Sequence, residues 1–212
     1  MIQPKNLVKM IMLLGFLFKG SIHDRYLHEV ISKKAHPAKA YQGSIIGSSF
    51  QVKFKGIRLT ITNNHVCSYI RDNTNLKIGN VTSKILLNSP DHDICILEPI
   101  GDKYFTLASS INRGDKIYII GNPRGDSQSI SEGRIVGKST SSFPWLPRAG
   151  YIPYLKTTAI AYPGNSGSPV VNRTGNVVGI LFAGTSIEYS NVNLIVPLES
   201  LKEVLNAYVR RR

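Results

Sequence analysis

Short apolar runs separated by turn-forming residues make up the chain from Gly43 onward. The runs are rich in Val, Ile, Thr, Tyr and Phe, and clusters of Gly, Asn, Asp and Pro stand between them. This alternation is typical of short strands joined by hairpins in a β-sandwich or β-barrel. The candidate strands are 45–53, 58–62, 83–87, 94–98, 116–120, 130–138, 155–158, 177–182 and 192–196. The pattern therefore predicts an all-β protein with helices confined to its ends.

The carboxyl terminus follows a helical period instead. Four apolar residues recur at spacings of three and four, namely Leu198, Leu201, Leu205 and Tyr208. Glutamates lie early in this segment and arginines late, as the helix dipole favours. Because proline is favoured in the first turn of a helix, Pro197 marks its start, and we predict an amphipathic helix over 197–209.

The amino terminus has the charge and the length of the first two regions of a secretory signal. Lys5 and Lys9 precede the apolar run 10–18. Lys19 stands where small residues should prepare a cleavage site, and no A-x-A pattern follows it. An uncleaved interfacial anchor and a packed helix are the alternatives to a cleaved signal.

These features predict a separate amino-terminal segment over 1–40 that is signal-like or anchor-like and helical, with 21–34 as a weakly patterned helical stretch. They favour export, so we expect an extracytoplasmic protein that is secreted, periplasmic or membrane-associated. If the segment is an anchor, residues 5–18 contact a membrane surface.

Basic residues outnumber acidic ones by 26 to 13, which gives a formal net charge of +13. Such an excess suits nucleic acid, an anionic membrane surface or an acidic polypeptide. The basic residues are scattered apart from a short run at 210–212, and no RNA-binding signature or zinc-finger spacing accompanies them. We therefore interpret the charge as a solvated basic surface and predict no nucleic-acid partner. With two cysteines the chain lacks a multi-cysteine metal site, and we expect neither a metal nor another cofactor.

A glycine-flanked serine offers the chemistry of acyl transfer. Within the segment 163–169, Ser166 stands between Asn165 and Gly167, and Gly164 precedes them. Glycine lets the backbone turn sharply, which exposes the hydroxyl and points backbone N–H groups at a developing oxyanion. The residues predicted to form this oxyanion hole are Gly164, Asn165 and Ser166. A glycine-rich hairpin with an incidental serine is the alternative interpretation.

A histidine and an aspartate upstream can complete a catalytic triad. His65 ends a β-rich run, whereas the other histidines lie in the amino-terminal region or, for His92, in a turn. Asp93 opens an apolar strand and is expected to be partly buried, as a carboxylate that orients a histidine must be. Asp91 is its rival, although capping of the turn 89–92 explains that residue. A purely structural histidine is the alternative for His65.

In this order and at this spacing the segments resemble the trypsin-like serine proteases, and most of all their HtrA-type (high-temperature-requirement) branch, from about residue 43 to 205. That branch has the segments G-S-G-F-x-V, T-N-x-H-V, D-I-A-x-L, G-N-P, N-P-G-N-S-G-G-P-L-V-N and G-x-V-x-G-I. The matching segments here are 47–52 (GSSFQV), 62–66 (TNNHV), 93–97 (DICIL), 121–123 (GNP), 162–172 (YPGNSGSPVVN) and 175–180 (GNVVGI). The chain order His, Asp, Ser is also that of this fold among the convergent triads.

The resemblance implies a chymotrypsin-like fold of two six-stranded antiparallel β-barrels, over about 41–110 and 111–196. Together with the terminal helix they form one protease domain over 41–212. The resemblance also implies the catalytic roles. The nucleophile is Ser166, the general base is His65 and the orienting carboxylate is Asp93.

The same resemblance implies a substrate pocket with uncharged walls. Its predicted residues are Ile160, Ala161, Phe182, Ala183, Gly184 and either Asn193 or Leu194. Because a charged side chain would lose its hydration there without compensation, we expect a preference for small to medium apolar residues before the scissile bond.

The chain departs from the HtrA-type pattern at several points. Tyr162 and Ser168 replace the commoner small or Asn and Gly residues, which alters the pocket rim. No PDZ-like domain follows, so we do not expect the peptide-gated oligomeric regulation of that branch. Asn165 replaces the aspartate that pairs with a newly cut amino terminus in digestive relatives, so we expect no zymogen activation by that route.

Two further features have open interpretations. The loop 143–151 contains the only tryptophan, Trp145, and is either a substrate-facing lid or a loop packed onto the barrel. Cys67 and Cys95 each follow a candidate catalytic residue by two positions. We predict two unpaired core thiols, and a single bridge is the alternative.

The sequence as a whole predicts a serine endopeptidase whose partner is a polypeptide substrate. A catalytically silent binding module on the same fold is one alternative. The other is a protease that cuts only itself or one partner, as compact viral proteases do.

Overall fold

The computed structural model describes residues 35–39, 45–68, 74–144, 146, 150–184 and 192–212. The amino-terminal segment 1–34, with the predicted membrane contact of residues 5–18, lies outside the described residues. Among the helices that are described, none is long and apolar enough to cross a membrane.

Six antiparallel strands close the first barrel in the order β1-β2-β3-β6-β5-β4. They are β1 (Ala35–Lys39), β2 (Ile45–Phe54), β3 (Ile57–Thr62), β4 (Asn75–Ile78), β5 (Val81–Ser89) and β6 (Ile94–Leu97). A short helix, α1 (Asn64–Ser68), follows β3. Strand β1 lies before residue 41, where the sequence places the start of the barrel, and it closes the barrel by pairing with β4.

Six further antiparallel strands close the second barrel in the order β10-β11-β12-β9-β8-β7. They are β7 (Lys116–Gly121), β8 (Ser129–Ser141), β9 (Ile152–Thr157), β10 (Pro169–Asn172), β11 (Val177–Gly184) and β12 (Asn193–Pro197). The helix α2 (Leu198–Arg211) ends the chain, with Pro197 at its cap. The predicted all-β fold with two six-stranded barrels and a carboxyl-terminal helix is confirmed.

One hydrophobic core runs through both barrels. It contains Phe50 from β2, Tyr118 and Val171 from the second barrel, and Leu201 from α2. Phe105, in the connection between the barrels, packs edge to face on Phe50 with 6.0 Å between the ring centroids. Both phenylalanines are completely buried, and burial of one such side chain contributes about 1.5–3 kcal/mol.

The connection between the barrels pairs with each of them. The Phe105 N–H donates to the Gln51 carbonyl at 2.7 Å, and the Phe105 carbonyl accepts from the Lys53 N–H at 3.2 Å. Three residues later, the Ala108 N–H donates to the Val177 carbonyl at 2.9 Å. The connection therefore ties β2 of the first barrel to β11 of the second.

The loop between β8 and β9 packs on the second barrel where it is described. Phe143 lies edge to face on Phe182 and on Tyr154, with centroid separations of 5.2 Å and 5.7 Å. Leu146 is buried. Trp145 and residues 147–149 lie outside the described residues. The described part of the loop thus supports packing onto the barrel.

Candidate active site

Three segments that are far apart in sequence carry the predicted catalytic residues. His65 lies in α1, directly after β3 ends, and Asp93 lies between a single helical turn and the start of β6. Both belong to the first barrel. Ser166 lies in the turn before β10 of the second barrel. A site built from these residues therefore depends on how the barrels meet.

The imidazole of His65 is held by the carboxylate of Asp93. Nδ1 of His65 lies 2.9 Å from Oδ2 and 3.1 Å from Oδ1 of Asp93. The backbone N–H of His65 also donates to Oδ1 at 2.9 Å. Because an ionised carboxylate only accepts hydrogen bonds, Nδ1 carries the proton, which leaves Nε2 able to accept one. The pair thus has the arrangement of a general base with its orienting group.

Burial and backbone geometry fix the position of Asp93. The residue is completely buried, while the His65 side chain is 19% exposed. Its backbone is left-handed, with φ of +52°, a conformation that aspartate tolerates better than most residues. Its N–H donates to the Pro90 carbonyl, and its own carbonyl accepts from the Asn63 side-chain amide at 3.0 Å. The backbone of Asp93 is therefore fixed from both sides.

The close approach of the Gly47–Ser48 backbone to the Ser166 carbonyl and to the Val66 side chain brings Ser166 beside the His65 segment. The Ser48 N–H donates to the Ser166 carbonyl at 2.7 Å. At the preceding residue, Gly47, a Cβ atom would stand 2.8 Å from that same carbonyl oxygen and 2.8 Å from Cγ2 of Val66. Real Cβ atoms do not approach so closely, so glycine is required where the Ser166 turn meets the residue after His65.

The side chain of Ser48 also supports the turn before Ser166. Its Oγ donates to the Gly164 carbonyl at 3.0 Å and accepts from the Asn122 N–H at 3.0 Å. Gly164 has φ of +93°, which glycine adopts without strain. On the other side of the turn, the Arg124 N–H donates to the Pro163 carbonyl at 2.6 Å. The turn is thus held by residues from both barrels.

The backbone N–H groups of the turn differ in whether they donate a hydrogen bond within the described residues. Within the described residues, neither the Gly164 N–H nor the Ser166 N–H donates a hydrogen bond to another residue. The Asn165 N–H, by contrast, donates to the Tyr162 carbonyl at 3.0 Å. Of the three residues predicted for the oxyanion hole, Gly164 and Ser166 therefore keep an available amide. The Asn165 amide is not available, because it already donates to the Tyr162 carbonyl.

Two buried polar atoms behind the turn have no hydrogen-bond partner among the described residues: Asn165 Oδ1 and Ser168 Oγ. Both lie against Gly121, where a side chain would collide with them. Asn165 is 3% exposed and Ser168 is completely buried. Polar groups of this kind destabilise a fold by about 1–3 kcal/mol each.

The predicted pocket residues differ in their exposure. Ile160 is 57% exposed and Ala161 is half-buried. Phe182 is buried with its ring against Phe143. Asn193 is buried and donates from its side chain to the Ala159 carbonyl at 2.7 Å.

The remaining pocket residues are backbone neighbours at the end of β11. Ala183 pairs with Leu194, and Gly184 pairs with Asn193. Their side chains lie outside the description. None of the pocket residues is charged.

The two cysteines are joined, which overturns the predicted pair of unpaired thiols. A disulfide links Cys67 of α1 to Cys95 of β6, with 6.5 Å between the Cα atoms. Both residues are completely buried. The sequence could not decide this point, because bridging depends on how α1 lies against β6. The bridge ties the element that carries His65 to the strand that follows Asp93.

Sequence reasoning assigned no role to several residues that shape the site, namely Gly47, Ser48, Asn122 and Arg124. Gly47, Ser48 and Asn122 lie in the matched segments 47–52 and 121–123, so their place in these motifs was the sequence signal that could have identified them. Arg124 follows the second of these segments and has φ of +53°. Among the described residues, no group of three or more His, Cys, Asp or Glu side chains could hold a metal ion.

Comparison with known proteins identifies the family of this chain. The family model described as a trypsin-like peptidase domain matches residues 47–180. A probable periplasmic serine endoprotease, DegP-like, from Hahella chejuensis is 29% identical over 169 residues, which cover 76% of this chain and 34% of that protein. Its counterpart from Pseudomonas fulva is 30% identical over 142 residues, covering 64% and 28%. The chain therefore spans about a third of the length of the curated relatives it matches.

Solved structures with the same fold include two kinds of protease. The HtrA-type protease AlgW with a tripeptide superposes with a TM-score of 0.70 at 24% identity, over 87% of this chain and 63% of that one. The Rv3671c protease from M. tuberculosis, in its active form, superposes with a TM-score of 0.69 at 17% identity, over 86% and 84%. At these identities the superpositions establish the fold.

Proposed function

Because this chain belongs to the family of trypsin-like peptidases, we propose that it is a serine endopeptidase that hydrolyses peptide bonds with Ser166, His65 and Asp93. The observation that carries the proposal is the contact of His65 Nδ1 with the buried carboxylate of Asp93. It leaves Nε2 as the basic nitrogen of the imidazole, as a general base requires.

In the first half of the reaction, Nε2 of His65 takes the proton of the Ser166 hydroxyl as Oγ attacks the carbonyl carbon of the substrate. The positive charge that develops on the imidazole is stabilised by Asp93. The negative charge that develops on the carbonyl oxygen is stabilised by the Gly164 and Ser166 N–H groups, which have no other acceptor among the described residues. His65 then gives the proton to the leaving amine.

In the second half, a water molecule replaces the amine, and His65 takes one of its protons as the water oxygen attacks the acyl-enzyme. Collapse of this second tetrahedral species returns the proton to Ser166 Oγ and releases the acid. No cofactor takes part in these steps. In each step Nε2 of His65 accepts or donates the proton, while Nδ1 stays bonded to Asp93.

We propose that the pocket prefers small to medium apolar side chains before the scissile bond. Ile160 and Ala161 present apolar surface beside the turn, and the pocket residues carry no charge that could compensate a buried Lys, Arg, Asp or Glu. A polypeptide with such residues in an accessible segment is the expected substrate class.

We propose that the protein works outside the cytoplasm. Its curated relatives are named as periplasmic proteins. The Cys67–Cys95 disulfide agrees with this, because structural disulfides form and persist in oxidising compartments.

The test is labelling of the full chain with a fluorophosphonate, followed by cleavage of casein, for wild type, Ser166→Ala and His65→Ala. Loss of the nucleophile or the base should lower turnover by about six orders of magnitude. Equal labelling of wild type and Ser166→Ala would contradict Ser166 as nucleophile. An unlabelled, inactive wild type would favour a binding module, and trimming of the purified chain alone would identify a protease that cuts itself.

A further inference from the structure

At the rim of the candidate site, the guanidinium group of Arg124 stacks on the ring of Tyr162. The guanidinium carbon of Arg124 lies 4.9 Å from the centre of the Tyr162 ring. Tyr162 is 49% exposed, and Arg124 is exposed. An arginine over an aromatic face keeps its N–H donors at the edge of the guanidinium plane, where they can bind a carboxylate.

Backbone contacts fix Arg124 beside the proposed oxyanion hole. Its N–H donates to the Pro163 carbonyl at 2.6 Å, and Pro163 precedes Gly164. A Cβ atom on Gly164 would lie 2.9 Å from the Arg124 nitrogen. The backbone of Arg124 is therefore in contact with the residue whose amide is proposed to bind the scissile carbonyl oxygen. Its side chain starts within a few ångströms of that amide.

The charge of Arg124 is not neutralised by the described part of the chain. No described carboxylate forms an ion pair with it, whereas Arg58 and Lys116 are paired with Asp102 and Glu132. The carboxylate of the site itself, Asp93, is completely buried. The rim thus presents a positive group with available hydrogen-bond donors.

We propose that Arg124 is a specificity residue that favours substrates with an acidic side chain close to the scissile bond. This inference rests on the proposed function. The substrate class is then a polypeptide with an apolar residue at the cleavage point and Asp or Glu nearby. The formal net charge of +13 would draw such segments towards the protein.

The experiment compares quenched fluorescent peptides that share one apolar cleavage point and carry Glu, Gln or Lys at each of three positions on either side. The wild type should cleave the Glu peptide about two- to five-fold faster than its Gln counterpart, in kcat/KM, at one or more positions. Arg124→Gln should abolish that ratio, and Arg124→Lys should retain only part of it, because lysine keeps the charge but lacks the planar guanidinium that stacks on Tyr162. High salt should reduce the ratio in the wild type.

Arg173→Gln is the matched control. It removes the same charge from an exposed turn that follows β10, so the whole of that strand separates it from Ser166. The Glu-to-Gln ratio should stay at the wild-type value in this variant. A fall of equal size in Arg173→Gln and Arg124→Gln would overturn the proposal, because net charge would then explain the preference.

A binding measurement separates this inference from the proposed function. Ser166→Ala and Ser166→Ala/Arg124→Gln are titrated with the Glu and Gln peptides, and fluorescence anisotropy reports the affinity without any cleavage. Tighter binding of the Glu peptide that disappears in the double variant supports the role of Arg124 even if the wild type cleaves nothing. Equal affinity of Ser166→Ala for the Glu and Gln peptides, together with equal kcat/KM of the wild type for both, overturns the role of Arg124.

Discussion

The backbone N–H of Ser48 lies 2.7 Å from the carbonyl oxygen of Ser166 and donates a hydrogen bond to it. This bond joins the second strand of one barrel to the candidate nucleophile turn of the other. The Ser48 hydroxyl binds the same turn at the Gly164 carbonyl. Ser48 of the first barrel therefore helps to hold the Ser166 backbone near the segment that carries His65.

Ser48→Ala should impair catalysis more than its effect on stability would explain. Ser48 is completely buried, so the substitution leaves the Gly164 carbonyl and the Asn122 N–H without their partner and costs about 1–3 kcal/mol. A shift of the turn should lower kcat by about 10²-fold. Peptide hydrolysis and thermal unfolding measure the two effects.

Ser83→Ala is the control for that substitution. Its buried hydroxyl donates to the Glu98 carbonyl at 2.8 Å, in the first barrel and outside the candidate site. It should lose less stability than Ser48→Ala, because the Glu98 carbonyl keeps a hydrogen bond from the Thr60 hydroxyl, and its kcat should stay near wild type. Equal losses of kcat in both variants would mean that stability alone explains the effect of Ser48.

Gly47→Ala should separate the Ser166 turn from the His65 segment. The new methyl group would stand 2.8 Å from both the Ser166 carbonyl oxygen and Val66. Overpacking of this kind costs about 1–3 kcal/mol, and a displaced nucleophile should lower fluorophosphonate labelling about 10²-fold. Gly137→Ala in β8, which meets open space, should label at the wild-type rate. Normal labelling of Gly47→Ala would show that the turn tolerates the shift.

Loss of the Cys67–Cys95 bridge should lower stability by about 3–4 kcal/mol, as expected for a loop closed over 28 residues. In a chain of this size that corresponds to a fall in Tm of roughly 6–16 °C. The comparison is wild type against Cys67→Ala/Cys95→Ala, each scanned with and without dithiothreitol. Reductant should lower the Tm of the wild type and leave the double variant unchanged. A wild type insensitive to reductant after full unfolding and refolding would contradict the bridge.

Ser168→Ala should leave stability unchanged or raise it by about 1 kcal/mol. Its buried hydroxyl has no hydrogen-bond partner among the described residues, so its removal deletes an uncompensated polar group. Thermal unfolding then shows an unchanged or higher Tm. A loss of more than about 2 kcal/mol would mean that the hydroxyl does bind a partner in the folded protein.

The Lys116–Glu132 pair should stabilise the second barrel up to high pH. The hydrogen bond that Lys116 Nζ donates to the Glu132 carboxylate raises the pKa of Lys116 above its ordinary value of 10.5. Because the folded state binds that proton more tightly, the stabilisation is present below pH 10.5 and is lost as the pH rises through the raised pKa. The difference in unfolding free energy between wild type and Glu132→Gln should therefore shrink above that pH. A difference that stays constant would contradict the coupling.

The sequence predicted the elements of this fold whose patterns are local. Leu198 to Tyr208 repeat at helical spacing, and the strand runs of both barrels alternate with turn residues, so the fold class followed. Strands β1, β4 and β10 have no counterpart among the nine candidate strands. Each is only four or five residues long, and β1 contains Pro37, which conceals a strand pattern.

The features that the sequence did not predict depend on distant contacts. The disulfide requires α1 to lie against β6. The stacking of Arg124 on Tyr162 joins residues that are far apart along the chain. These relationships leave no periodic pattern in the sequence, so they are visible only in the three-dimensional structure.

The connection around Phe105 pairs with β2 and, at Ala108, with the first residue of β11, so it joins the two barrels. During synthesis the first barrel leaves the ribosome with His65 and Asp93 but without Ser166. Under the proposed mechanism a half-made chain lacks the nucleophile, so a complete site forms only after the strands of the second barrel have closed.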